Sequence, residues 1–235
     1  TVEFVPERLE LSEQAQQAYK MYYKAYSDID GYELSFHATR WMPSASTALT
    51  YGEAHFLPTF RLLSLLNVGP SDFIVDLGSG TGRFLLAASL GFPCLQRCWG
   101  IEVIPALHEA ALAAQTKVAG GAAVDFTLGD FQEEDWSRAT LVVVMTLCFP
   151  EALLVAVQRQ ALDLRPGARV VAMHSAFGEL LLPADESSGG PPFRPVALRD
   201  EEPRHAVPTE MSFGETALYV FERVGSPAVQ VDTLD

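Results

Sequence analysis

The chain predicts an open α/β sheet, mostly parallel, with helices on both faces. Three observations carry that expectation. Phe73-Ile-Val-Asp-Leu runs into Gly78-Ser-Gly80-Thr-Gly82 and then Arg83-Phe-Leu-Leu: a strand, a glycine turn and a helix start. Strand-like apolar runs then alternate with helical patterns as far as residue 174. Acids stand where two of those strands end, at Glu102 and Asp130, the edge at which such sheets hold ligands.

Ahead of the sheet, residues 12–27 read as a helix capped by Ser12, with Tyr19, Tyr22, Tyr23 and Tyr26 crowding one side. Residues 28–52, rich in turn formers and including Trp41, Pro43 and Ser44, read as a long loop or lid over the binding edge. A helix follows over about 53–66, with Pro58 in its first turns, where proline is tolerated. Strands are predicted at 73–77, 98–103, 124–128, 141–145 and 168–174. Helices are predicted at 82–90, 105–119 and 151–162. Residues 182–208, dense in proline, glycine and acid, read as an irregular connection, and 216–221 as a late strand. The division expected is an N-terminal helix and lid over 1–52, one domain over 53–223 and a tail over 224–235.

Composition narrows the function classes. Of 235 residues, 49% are hydrophobic and 20% charged, the balance of a chain that builds a core. No apolar run approaches the ~20 residues that span a bilayer, and no basic-then-apolar leader opens the chain, so an intracellular protein of cytoplasm or nucleus is expected. Cys94, Cys98 and Cys148 form neither a disulfide framework nor a ligand set of metal-binding spacing, so no metal is expected. The net charge is −14 and only Lys20, Lys24 and Lys117 are lysines, which leaves no basic patch for nucleic acid. Such a surface fits a basic protein or peptide partner, and equally a merely soluble one.

The turn's spacing sets its ligand. A dinucleotide fingerprint needs Gly-x-Gly-x-x-Gly or Ala. Here Gly82 follows Gly80 by two, and the next position is Arg83. The form Asp76-x-Gly78-x-Gly80-x-Gly82 instead resembles the class I methyltransferases, which bind S-adenosylmethionine. That resemblance implies a Rossmann-like, seven-stranded sheet with its last strand antiparallel. Glu102 is placed for ribose hydroxyls. Asp130 and Phe131 are placed for the adenine amino group and ring, although an aspartate after a strand is also a common turn former. The segment 144–150 follows the fourth strand, where the methyl acceptor would meet the donor. His37, His55 and His174 receive no role.

Several islands over residues 50–223 further resemble the DOT-type (disruptor of telomeric silencing) histone-lysine methyltransferases. They are Thr50-Tyr51-Gly52-Glu53, the glycine motif, Gly100-Ile-Glu102, Gly129-Asp130-Phe131, Leu147-Cys148-Phe149, His174-Ser-Ala-Phe177 and Met211-Ser-Phe213 with Tyr219 beyond. The resemblance implies methyl transfer to a protein lysine amine, a histone among the candidates. It implies cofactor contacts from Tyr51, Glu53, Asp76, Gly78, Ser79, Gly80, Thr81, Gly82, Glu102, Asp130 and Phe131. It implies catalytic roles for Thr146, Phe149, Phe213 and Tyr219, with Tyr51, Phe149, Phe213 and Tyr219 lining an acceptor channel. Met145 and Thr146 stand where that family carries an asparagine, and Phe213 where it usually carries tryptophan. Those departures keep open a non-histone protein, a small-molecule acceptor or a non-catalytic binding module.

Overall fold

Phe73–Leu77 (β1) sits at the centre of the sheet because its last four residues are apolar or screened on both faces, the pattern of a parallel strand covered from both sides. A computed structural model of the protein describes residues 11–40, 49–118, 120–173, 177, 191–198, 206–212 and 214–225. The other strands are Arg97–Glu102 (β2), Val124–Leu128 (β3), Leu141–Val144 (β4), Arg169–Ala172 (β5), Phe193–Pro195 (β6), Ala206–Met211 (β7) and Gly214–Arg223 (β8). Among the described residues these eight lie in one sheet of order β3-β2-β1-β4-β5-β8-β6, with β7 also paired to β8. The first five run parallel, and β8 returns antiparallel with Ala172 opposite Tyr219. This is the fold class that the sequence predicts. Strands β6 and β7 follow one another along the outer side of β8, so the sheet is seven positions wide. The reversal of strand order beside β1 is the switch point where open α/β sheets bind ligands.

Two hydrophobic layers sandwich the sheet. One gathers Ile74, Cys98, Val143, Val171 and Val220 under helices Glu13–Ala25 (α1), Phe56–Leu65 (α3) and Arg83–Gly91 (α4). The other gathers Val75, Leu77, Ile101, Val142 and Val144 under Glu151–Ala161 (α6) and the buried Trp136. Pro105–Thr116 (α5) follows β2 and packs Ala114 into the first layer.

The N-terminal region departs from expectation. Ser12 caps α1 as predicted, its side chain accepting from the Ala15 amide at 3.2 Å. Tyr22 and Tyr26 are buried, so that aromatic side is packing. But Gly31–Thr39 (α2) is a helix inside the stretch read as loop. Asp30 caps it by accepting from the Glu33 amide at 2.9 Å, and contact with α5 outweighs the glycine at its first position. Trp41, Pro43 and Ser44 lie outside the described residues, as do Phe213, His174 and the tail 226–235. Helix α3 starts at Phe56, not near 53, because residues 51–54 are held extended beside β7. Within the stretch read as irregular, β6 and the start of β7 form strands. Pro208 is accommodated there because β7 lies at the sheet's edge.

No helix among the described residues is long and apolar enough to cross a membrane.

Candidate active site

The carboxyl ends of β1, β2, β3 and β4 surround a cavity of about 430 Å³, within the ~300–1,000 Å³ range of small-molecule sites. Its floor is the glycine turn. The amides of Gly78 and Ser79 both donate to the Ile101 carbonyl, at 2.9 and 3.0 Å, which ties the turn to β2. Gly80 takes φ +55, and a Cβ there would stand 2.9 Å from the Tyr51 ring. Only glycine combines that left-handed backbone with so close an approach.

Two carboxylates line the cavity from neighbouring strands. Glu102 accepts from the Gly80 amide at 2.7 Å with one oxygen and from the Ile104 amide at 2.8 Å with the other. It therefore fixes the turn and keeps lone pairs for a ligand. Burial raises its pKa, and the amides of Ile104, Gly80 and Val103 pull the other way. Asp76 is pushed up to about 7, first by burial and then by the charge of Glu102. Its folded value lies above the unfolded 3.8, so the native state holds a proton that the unfolded chain has lost. Stability contributed by this group is therefore lost as pH rises from about 4 to 7, by an amount on the order of a few kcal/mol. Asp76→Asn is expected to flatten melting temperature against pH across that window. A variant curve parallel to wild type would rule out Asp76 as the titrating group.

Asp130 and Phe131 reach the cavity after β3. The Asp130 carboxylate is engaged by Gln132, through its amide at 2.9 Å and its side chain at 3.2 and 3.3 Å, so it is also the turn former that its position allowed. Phe131 stacks nearly parallel on Phe149, centroids 6.1 Å apart. Val103, Ile104 and Leu107 add an apolar wall near Glu102, and Met145, Leu147, Cys148, Leu153, Met173 and Met211 line the remainder.

The segment 50–53 closes the cavity as a strap. The Tyr51 hydroxyl donates to Glu53 Oε1 at 2.9 Å and meets Thr81 Oγ1 at 3.0 Å. Burial and then the Glu53 carboxylate hold that phenol protonated, well above its usual range. The Glu53 amide donates to Ser212 Oγ at 2.7 Å, and the Ser212 amide returns a bond to the Glu53 carbonyl at 3.1 Å.

Of the predicted cofactor residues, Tyr51, Glu53, Asp76, Gly78, Ser79, Gly80, Thr81, Glu102, Asp130 and Phe131 line this one cavity. Gly82 does not. It caps α4, and Phe126 and Ala111 fill the space where its Cβ would stand. Among the predicted acceptor residues Phe149 lines the cavity, whereas Thr146 and Tyr219 do not. Thr146 is fully buried, its hydroxyl without a hydrogen-bond partner. Tyr219 packs against the α6-side layer from β8. Tyr219 takes its direction from the alternation of β8, and Thr146 from the turn that follows β4, neither of which a motif states. Phe213 lies outside the described residues. Sequence reasoning missed Arg83 and Gln132, whose polar side chains carry no motif, and gave no site role to the cavity-lining Met145, Met173 and Met211.

A cationic nucleoside fits this arrangement. Two buried carboxylates face the space, and Gly78 leaves bare backbone along it, with no atom within 4 Å of the place a Cβ would take.

Comparison with known proteins agrees. A protein-lysine N-methyltransferase of Saccharolobus islandicus is 31% identical over 111 residues, 47% of this chain and 67% of that protein. A histone-lysine N-methyltransferase, H3 lysine-79 specific, of Cryptococcus neoformans is 31% identical over 137 residues, 52% of this chain but 21% of that protein. The chain thus spans about a fifth of that relative's length. A Klebsiella pneumoniae protein with a proposed O-methyltransferase assignment shares the fold, with a TM-score of 0.50 over 93% of each chain at 13% identity. The profile of the histone methylation protein DOT1 matches residues 42–180, more than half of the sequence. With that span enclosing the strap, the glycine turn and both carboxylates, the chain belongs to the DOT1 family, whose cofactor is S-adenosylmethionine.

Proposed function

We propose that the chain transfers a methyl group from S-adenosylmethionine to a lysine amine of a basic protein. The observation that carries this reading is the convergence of Asp76, Glu102 and the glycine turn on one cavity whose far side, from Met145 to Phe149, is apolar but for the buried Thr146 that does not line it. S-adenosylmethionine supplies an electrophilic methyl on a sulfonium. Glu102 holds the turn and accepts from ribose hydroxyls, while Asp76 places negative charge near a cationic ligand. Bound near Asp76, that cation would draw its carboxyl back toward the ionised form. Val103, Ile104 and Phe131 enclose the adenine, and Tyr51 covers the methionine end.

Phe149, Leu147, Met145 and Cys148 form the acceptor side. Apolar walls exclude water there and favour the neutral, nucleophilic amine, since desolvation lowers a lysine pKa. Transfer then needs alignment of donor and acceptor more than acid–base chemistry. Glu133, Glu134 and Asp135 follow the cavity-lining Gln132 in sequence and Glu151 opens α6, and these acids supply negative charge suited to lysine- and arginine-rich segments. The names of the relatives support histone or another protein lysine as acceptor, and a histone substrate would place the protein in the nucleus.

Incubation with radiolabelled cofactor and core histones, followed by mass spectrometry, tests the reading. Label on lysine is the expected result; label confined to small solutes would reject a protein acceptor. Phe149→Ala is expected to lower turnover by tenfold or more while changing cofactor affinity less than threefold, a cost of the order of one aromatic contact. Equal losses in both quantities would remove Phe149 from the acceptor side.

A further inference from the structure

Arg83 is the one cation lining the cavity among the described residues, and the methyl-transfer reading gives it no role. Two segments distant from it in sequence, residues 26–29 and Glu53, meet on its side chain. The guanidinium lies 4.1 Å over the Tyr26 ring of α1. Its Nη2 donates to the Ile29 carbonyl, between α1 and α2, at 3.3 Å. Its Nε stands 2.9 Å from Glu53 Oε1, in an ion pair whose side chains are only 12% and 11% exposed.

The same Glu53 oxygen accepts from the Tyr51 hydroxyl. Tyr51 is confined on its other sides. Its ring lies against Gly80, and Gly31 of α2 abuts its hydroxyl so closely that a Cβ there would stand 2.2 Å away. The Tyr26 hydroxyl donates to the Thr81 carbonyl at 2.9 Å, binding α1 to the turn itself. The aromatic side of Tyr51 is thus placed by a chain of contacts that begins at Arg83.

We propose that Arg83 is a positioning residue that acts through Glu53 to set the Tyr51 ring over the glycine turn. This rests on the methyl-transfer reading, in which Tyr51 covers the donor end of the cofactor. It also changes the role of Glu53. The carboxylate was expected to touch the cofactor, and here it is engaged by Arg83 and Tyr51. A buried pair of this kind is intolerant of losing one partner, because the other charge is left uncompensated. Lysine is no substitute for Arg83. A compact ammonium cannot lie over the Tyr26 ring, pair with Glu53 and donate to the Ile29 carbonyl at once.

The test uses Arg83→Lys, Glu53→Gln and Tyr51→Phe, singly and in the pair Arg83→Lys/Tyr51→Phe. Readouts are affinity for S-adenosylhomocysteine by calorimetry, single-turnover rate at saturating cofactor, and hydrogen exchange of amides 50–54 in the cofactor-free protein. Arg83→Lys and Glu53→Gln are each expected to raise Kd fivefold or more and to slow single turnover tenfold. Exchange at 50–54 should accelerate at least tenfold while β4 amides keep their protection. In the double variant the loss should fall well short of the product of the single losses, because both act on one ring. Multiplying losses, or unchanged exchange at 50–54, would overturn the proposal, as would variants that melt earlier but keep wild-type affinity and rate. A wild-type protein that binds no S-adenosylhomocysteine would overturn the methyl-transfer reading, and this inference with it.

Discussion

Gly80→Ala is expected to raise Kd for S-adenosylhomocysteine about 10- to 100-fold, that is about 1.4–2.8 kcal/mol. Two costs add. The residue's φ of +55 is left-handed, which charges an alanine about 1–2 kcal/mol. The new Cβ would also stand 2.9 Å from the Tyr51 ring. Tyr51 has little room to retreat, since Gly31, Glu53 and Thr81 hold its hydroxyl end. Either the turn or the strap must shift, and both line the cavity. Gly120→Ala is the control. It has a comparable φ of +81 with nothing within 4 Å of its Cβ position, away from the cavity. It should lower the melting temperature and leave Kd unchanged. An unchanged Kd in Gly80→Ala would mean that the turn is not the cofactor's floor.

Glu102→Ala is expected to abolish measurable cofactor binding and to destabilise the protein besides. Two buried amides, of Gly80 and Ile104, lose their acceptor at once. An orphaned buried donor costs roughly 1–3 kcal/mol, so the pair costs about 2–6 kcal/mol. For a chain of this size that corresponds to a fall of roughly 5–20 °C. Glu102→Gln separates the two roles. Its carbonyl oxygen can still take one amide, so stability should recover in part, while ribose recognition by a charged acceptor should not. Glu102→Ala with wild-type affinity in calorimetry would remove this residue from the site. Opposition between the two variants, with Gln weaker-binding than Ala, would mean that the loss comes from the amide's geometry and not from the missing charge.

Both substitutions concern residues that the sequence marks plainly. Glycines at every second position after an acid-bearing strand admit few backbone paths, and an acid 20 residues beyond falls at the next strand's end. Asp130 and Phe131 follow by the same logic one strand later. The N-terminal region was harder. Helix α2 carries a clear cap at Asp30 with Glu33 three residues on, but Gly31 and its polar neighbours resemble a turn. Its formation depends on contact with α5, some seventy residues away. Strand β7 includes Pro208, which by itself argues against a strand, and only its edge position makes it possible.

The acceptor side shows the limit most clearly. Thr146 and Phe149 sit three residues apart in one turn, yet Phe149 lines the cavity and Thr146 is sealed behind it. Tyr219, chosen by resemblance, belongs to the packing under β8. Motif spacing says which residues are near a site; it does not say which way each side chain turns.

By itself, then, the amino-acid order determined the parallel sheet, the glycine turn and the acids at its carboxyl edge. Those features depend on periodicity and on backbone preferences that act within a few residues. Tertiary structure alone decided that Glu53 pairs with Arg83 and that Tyr51 rests on Gly80. Each of those contacts joins segments far apart along the chain, such as Tyr26 with Thr81 and Glu53 with Ser212. No local pattern encodes them, because their partners are brought together only when the two layers close over the sheet.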